Sequence, residues 1–462
     1  MKKLIKSMIL ATVILSFSTI VSANSGPIFW QGYPSSDVMS IDADSPIAVK
    51  NENLVFDFSD YNDADLTICG KVTATYKMVN PTEETQLVQM AFPYVEALKS
   101  LSPESIVITA DDIIIPYDIY FGEVVEIRGN PRYEKETIFD FANIVNAISA
   151  EPYSAKSFEE YERGKLYTLD IKPIANQVIN IVVNFNSSKT KVFATGFNAY
   201  EQNNGKIKIT ASCHRPETIE FFVLGDDIAL LTNTFTAGKP KGETDLSNCQ
   251  IETKNLEFKP YFMDYIKKRT NPSTRSMTSD TQLYNLYAKA LDKYFKANMG
   301  YCSDYDFMEQ EEYKRIMTLV YTVQFPKNSE KKISVSYKTS GTMDKTETAK
   351  PLYSFDYILN PAENWKNFKN LNIEVITPKE APYIVKSSVN FIKGENKIYT
   401  AILPTLPKED LSFTLYADKK ITLLDKTVGN FQSSFGYLTL LIIGAFVFLI
   451  RIMIVVFLKK SK

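Results

Sequence analysis

The chain has 462 residues, 45% of them hydrophobic, and a formal net charge of −2. Three lysines in the first 23 residues, and Arg451 with three lysines at the other end, leave −9 for residues 24–434 once those seven cations are set aside. So acidic a body argues against nucleic acid as a partner, and its one histidine excludes any metal site that needs two or three imidazole ligands from one chain.

Met1-Lys2-Lys3-Leu4-Ile5-Lys6, then SMILATVILSFSTIV, then Val21-Ser22-Ala23 follow the order of a signal peptide: basic, apolar, small. The apolar run of about 14 residues is short for a membrane span. Residues 1–23 therefore read as a cleaved signal peptide, with an uncleaved anchor as the alternative.

Residues 24–267 read as an N-terminal β-rich extracellular region with one inserted helix. Its first polar feature is DFSDYNDAD, where Asp57, Asp60, Asp63 and Asp65 fall within nine residues. Clustered carboxylates suit calcium, and an extracellular site can work at roughly millimolar affinity. The spacing is not that of an EF-hand, and Asp-rich turns are commonly only solvated. These four residues are the candidate calcium ligands; otherwise no cofactor is expected.

Period-two alternation begins at Lys71, with Val72, Ala74, Tyr76 and Met78 on one face, and returns in LVQMAF with Val88, Met90 and Phe92. SIVITADDIIIPYDIYF reads as a hairpin about Ala110-Asp111-Asp112. Ile138, Phe141, Ala142, Val145 and Ile148 recur at helical spacing and predict the inserted helix. Further strands are expected at Leu166–Lys172, Val178–Asn186, Lys206–Cys213 and Thr218–Leu224.

SCHRP, Ser212 to Pro216, places the sole histidine beside one of four cysteines. Alternation puts Cys213 on the apolar face with Ile207, Ile209 and Ala211. Adjacent strand residues point to opposite faces, so His214 points away, outside the reach a nucleophile–base pair needs. The motif reads as structural. The other cysteines are Cys69, Cys249 and Cys302, and four allow three full pairings. Cys213 with Cys249 is the most local pair in the first region and the candidate disulfide.

Residues 268–303 read as a linker and an amphipathic helix. KKRTNPSTRSMTSDT is polar and without period. DTQLYNLYAKALDKYFKANMG then carries Leu283, Leu286, Tyr287, Ala290, Leu291, Tyr294 and Phe295 on one stripe, with Asp280 to cap its start and Gly300 its end. From Arg315 the alternation resumes in RIMTLVYTVQF, KKISVSYKTS, LYSFDYIL, NLNIEVI, YIVKSS, KIYTAIL and LSFTLYA. Seven candidate strands at this spacing predict a membrane-proximal β-sandwich over 304–425. YILNPAENWKNFKNLNIEVITP, with Asn360-Pro361-Ala362 and Trp365, resembles a segment of uncharacterised bacterial secreted and membrane-anchored surface proteins. SPIAVKNENLVFDF near the mature N-terminus is similar in flavour. That resemblance implies an envelope location and a β-rich fold, and no site residue carries over from it.

FGYLTLLIIGAFVFLIRIMIVVFL, residues 435–458, is long enough to span a bilayer and holds one charge, Arg451. With the lysine-rich tail at 459–462, it predicts a single-pass helix with the bulk outside and the C-terminus in the cytosol. No LPxTG-type sorting motif precedes it. Arg451 either snorkels to the inner interface or pairs with a carboxylate of another membrane protein. The expected partners are thus membrane lipid through this helix and another membrane or envelope protein.

No P-loop, G-x-G-x-x-G or G-x-S-x-G elbow occurs. Ser329 and Lys332 match S-x-x-K but sit in a charged turn. No catalytic residue is assigned. The expected fold is mainly β with minor α: two antiparallel β-sandwich-like extracellular modules, a helical connection and one C-terminal transmembrane helix. The leading functional reading is a non-enzymatic binding or scaffolding module of the bacterial cell surface. The rival is a carboxylate-dependent hydrolase of cell-wall glycan or peptide, which needs two acidic groups of unequal pKa in a cleft.

Overall fold

Strict alternation becomes strand along most of the chain. In the computed structural model, residues 29–430 are described, apart from 43, 61–65, 128–129, 132–143, 146–147, 175–176, 227, 237–238 and 244–248. The expected signal peptide, the 435–458 segment with Arg451, and most of the helix expected over Ile138–Ile148 lie outside the described residues. Among the described residues, no helix is long and apolar enough to cross a membrane. Strand Cys69–Asn80 buries Val72, Ala74, Tyr76 and Met78, and all seven strands expected after Arg315 are present. The hairpin corner forms at Asp111 and Asp112, both at positive φ (50° and 65°) between Ile106–Ala110 and Ile113–Ile114.

The stretch 163–257 folds as two facing sheets. One orders Cys249–Glu257, Arg163–Ile171, Glu217–Gly225, Thr190–Ala194 and Tyr301–Ser303; the other orders Ala199–Asn203, Lys206–Cys213, Gln177–Asn186, Ala229–Thr236 and Lys239–Glu243. Leu169, Ile181, Val183, Ile209, Phe221 and Val223 fill the space between them. SCHRP is the corner where the chain leaves one sheet at Cys213 and enters the other at Glu217.

The first sheet is apolar on its outer side too, and helices cover it. Phe258, Phe262, Tyr265 and Ile266 form the buried stripe of helix Phe258–Arg269. Phe193 meets Phe262 at 6.0 Å and Phe307 at 5.2 Å, and Phe222 meets Phe258 at 5.0 Å, between ring centroids. Residues 268–280 are accordingly not a free linker. Asn271 caps a short helix, Pro272–Met277, with Pro272 in its first turn, and Thr270, Thr274 and Thr278 are buried. The following helix runs Asp280–Ala297, with Ser279 rather than Asp280 as its cap. Gly300 does end it: at φ +85° its N–H donates to the Phe295 carbonyl at 2.7 Å.

The remaining strands do not divide in sequence order. An eight-stranded sheet runs Ile392–Lys393, Ile398–Leu403, Leu371–Ile376, Ala48–Asp57, Cys69–Asn80, Ser329–Ser340, Ile106–Ala110 and Ile113–Ile114. A second places Lys314–Phe325 between Gln86–Ala97 and Asp118–Ile127. A third centres on Leu352–Ile358 and Leu411–Tyr416. Strands of 48–127 therefore share sheets with strands of 314–416, and the pairing crosses the expected boundary between a first and a membrane-proximal module. The two segments that carry the surface-protein resemblance are neighbours: Ala48–Asp57 pairs in parallel with Leu371–Ile376, and Trp365 Nε1 donates to the Val38 carbonyl at 3.0 Å.

Phe413 fastens the third sheet to the eight-stranded one, with its ring 5.1 Å from Phe56, 5.3 Å from Phe355 and 6.4 Å from Phe58. Phe413→Ala should cost about 3–5 kcal/mol in a denaturant melt, the range for a deleted buried ring. Leu423→Ala, at a side chain 85% exposed, should stay within about 0.5 kcal/mol. Equal melts for the two variants would contradict this packing.

Candidate functional site

The residues singled out in the sequence fall in separate places. Asp57 ends a strand and accepts from the Ser59 N–H at 2.9 Å, and Asp60 is exposed; Asp63 and Asp65 lie outside the described residues. Among the described residues no group of three His, Cys, Asp or Glu side chains could hold a metal ion. Cys213 and Cys249 both enter the core between the facing sheets, where they stand as thiols. Burial and then Glu217 push the Cys213 thiol up to about 12, which removes its nucleophilic form at neutral pH. His214 is exposed while Cys213 is 1% exposed, so the dyad geometry is absent. Ser329 donates to the Pro326 carbonyl at 2.6 Å and Lys332 pairs with Asp112 at 2.5 Å, so both halves of S-x-x-K are engaged in turns.

A cleft of about 600 Å³ opens elsewhere, where three distant segments meet. Residues 149–157 are strapped along helix Asp280–Ala297 by its polar stripe. Gln282 Nε2 donates to the Ser149 carbonyl at 2.7 Å, and Asn285 Nδ2 to the Glu151 carbonyl at 3.0 Å, while Asn285 Oδ1 accepts from Tyr153 N at 2.6 Å. Asp292 completes the strap: Oδ2 accepts from the Tyr153 hydroxyl at 2.9 Å and Lys156 N at 2.8 Å, and Oδ1 from Ser157 N at 2.9 Å and the Ser157 hydroxyl. These residues sit at helical spacing on one face, but polarity in a helix reads as solvent contact, so the sequence pattern conceals them.

Lys156, Lys191, Lys293 and Lys296 line this cleft, with Phe295, Met299 and Tyr153 supplying apolar surface. The Lys191 ammonium donates to the Ser157 carbonyl. Among the described residues none of the four lysines forms an ion pair with a carboxylate, although elsewhere surface lysines such as Lys50, Lys77 and Lys267 do. Asp292, the cleft's only acidic residue, already has its acceptor capacity filled by four donors. Lys296, in the last turn, also complements the negative end of the helix dipole. Lys156 and Lys191 have no such role. The arrangement can hold an anion. Ser157 donates its hydroxyl to Asp292, and the lone histidine is not among the lining residues.

The carboxyl pair most altered by its surroundings lies apart from any opening. Asp37 and Glu52 are both 0% exposed, so no glycan or peptide reaches them. No family model matches the chain, and no curated protein matches it. Among solved structures, it is similar to one titled as a "putative nutrient binding protein" from Legionella pneumophila, at 9% identity over 89% of this chain and 76% of that one, with a TM-score of 0.36. A two-domain M1 zinc metallopeptidase bound to L-tryptophan aligns at 10% identity over 45% of this chain and 51% of that one, with a TM-score of 0.09. At those scores neither likeness bears on function.

Asp292→Ala removes one carboxylate that holds four donors, and should destabilise by about 2–3 kcal/mol through the groups left unpaired. The loss should appear as faster proteolytic nicking within 149–161. Lys296→Ala, on the same helix but exposed, should cost less than about 1 kcal/mol and leave nicking within 149–161 unchanged.

Proposed function

We propose that the protein is a non-enzymatic binding protein of the bacterial envelope, and that its ligand is an anion seated in the lysine cleft. The observation that carries this reading is the convergence of four lysines without carboxylate partners in a chain whose body is acidic. The cleft volume of about 600 Å³ falls in the range of about 300–1,000 Å³ used for small molecules. Its mix of ammonium groups and ring surface suits a carboxylated or phosphorylated compound with an apolar or sugar-like part. The acidic remainder of the surface disfavours anions elsewhere and so focuses them here. A hydrolase reading finds no support in the cleft, which lacks a pair of carboxyl groups among its lining residues.

The same proposal places the body outside the cell, exported by residues 1–23 and held by residues 435–458, with Arg451 near the inner interface. Protease added to protoplasts should then remove 24–434 and leave a C-terminal membrane stub. Protection until lysis would reverse the orientation.

The binding reading is tested by calorimetry with inorganic phosphate, citrate and oligogalacturonate. At least one should bind, more weakly as salt rises. Lys293→Gln with Lys296→Gln should weaken it about tenfold, or about 1.4 kcal/mol, while changing stability by no more than about 1 kcal/mol. Undiminished affinity in that double variant would sink the assignment.

A further inference from the structure

Asp37 occupies the point where three sheets meet. Ser35–Ser36 pairs in parallel with Leu352–Ile358, and Met39–Ser40 pairs with Gln86–Ala97, so one short peptide crosses between two sheets. The Asp37 side chain turns to the third. Its Oδ1 accepts from the Tyr76 hydroxyl, on Cys69–Asn80, and from the Tyr357 hydroxyl at 2.9 Å. Glu52, on the adjacent strand Ala48–Asp57, completes the cluster.

Drawn as two carboxylates, Asp37 Oδ2 and both Glu52 oxygens have no donor. A buried carboxylate left in that state is costly, and two facing each other repel. A proton on Glu52, donated to Asp37, supplies the missing hydrogen bond. The other titratable groups that face the pair are Tyr76, Tyr337 and Tyr357, held protonated by burial, and Asp410, whose charge adds to the repulsion. No lysine or arginine figures among them.

We propose that the Asp37–Glu52 pair is a proton-held latch: with the shared proton the 35–41 segment is locked onto three sheets, and without it the segment is released. Burial, opposed by the tyrosine hydroxyls, pushes Asp37 up to about 6. Burial and then the Asp37 charge raise Glu52 well above the usual range. Raised carboxyls keep protons in the folded protein that the unfolded chain has already released at about pH 4. Their contribution to stability is therefore greatest in acid: the first proton, from Asp37, leaves as pH rises through about 6, and the shared proton, on Glu52, leaves above that.

Hydrogen exchange on the full chain, corrected for intrinsic rates, tests this at pH 5.5, 7 and 8.5 (our choice of points, spanning roughly the window in which such carboxyls titrate). Asp37 N donates to the Ile358 carbonyl and Ile41 N to the Gln89 carbonyl, both at 3.0 Å, and these amides report the latch. Their protection should fall about tenfold or more across the series. Glu52→Gln keeps a donor toward Asp37 and carries no charge, so the fall above about pH 6 should vanish in it, while the step from Asp37 itself remains. Tyr357→Phe removes a hydrogen bond that favours the Asp37 carboxylate, so its loss of protection should move to higher pH. Protection independent of pH in the native chain, or the same fall between the two higher pH points in Glu52→Gln, overturns the latch. If Glu52→Gln does not fold, an unmoved midpoint in Tyr357→Phe overturns it instead.

Discussion

Two fully buried carboxyl groups sit where three sheets meet. The sheets in that half of the molecule must accommodate them. Asp37 and Glu52 are wholly buried, so they are tolerated only with the Tyr76 and Tyr357 hydroxyls on one side and a proton between them. Each partner comes from a different stretch of chain: Asp37 from the first described residues, Tyr76 from the second long strand, Tyr357 from far beyond the inserted sandwich. The junction can form only when the early and late strands have come together. Trp365 reinforces the same point, because its indole N–H reaches the carbonyl next to Asp37.

Strand positions were legible and strand partners were not, for a physical reason. Alternation reports which face of a strand is apolar, so Val72, Ala74, Tyr76 and Met78 identify a buried face whatever lies beside it. The neighbour is chosen by hydrogen bonding between backbones that carry no sequence signature. Ser329–Ser340 could have paired with the next strand in order; it pairs instead with Cys69–Asn80 over its whole length. The sequential division into two modules came from taking proximity in sequence for proximity in space. The polar stretch at 268–280 misled in a related way. Its threonines read as solvent-facing, whereas Thr274 lies buried with its hydroxyl on the Leu98 carbonyl at 3.1 Å.

The sites show the same contrast. Alternation alone places Cys213 inward and His214 outward, and the structure agrees; that SCHRP also turns the chain between two sheets is visible only in the fold. The lysine cleft was invisible because Lys156, Lys191 and Lys293 lie on three segments far apart in sequence, and an isolated lysine looks like any solvated surface residue. The available signal was the polar stripe of Gln282, Asn285 and Asp292, three residues on the face of a helix whose apolar stripe drew all the attention. A helix that is polar on one face and yet buries two of those residues must have something polar docked against it.

The electrostatics of that docked segment bear on the charge balance of the cleft. Two unit charges about 8 Å apart in water repel by about 0.5 kcal/mol, so gathering four ammonium groups carries a cost that one or two well-placed carboxylates would remove. The chain has 54 acidic residues from which to provide them. The one carboxylate present, Asp292, is instead turned toward the backbone of 156–157 and spends its lone pairs there. Structural need thus fills the hydrogen-bonding sites of Asp292, so its charge offsets part of the repulsion at a distance without any direct contact to an ammonium group. An anion entering the cleft meets donors that no side chain competes for and relieves a strain that the fold itself maintains. In the proposed reading, affinity at such a site comes from donors the protein has left without a carboxylate.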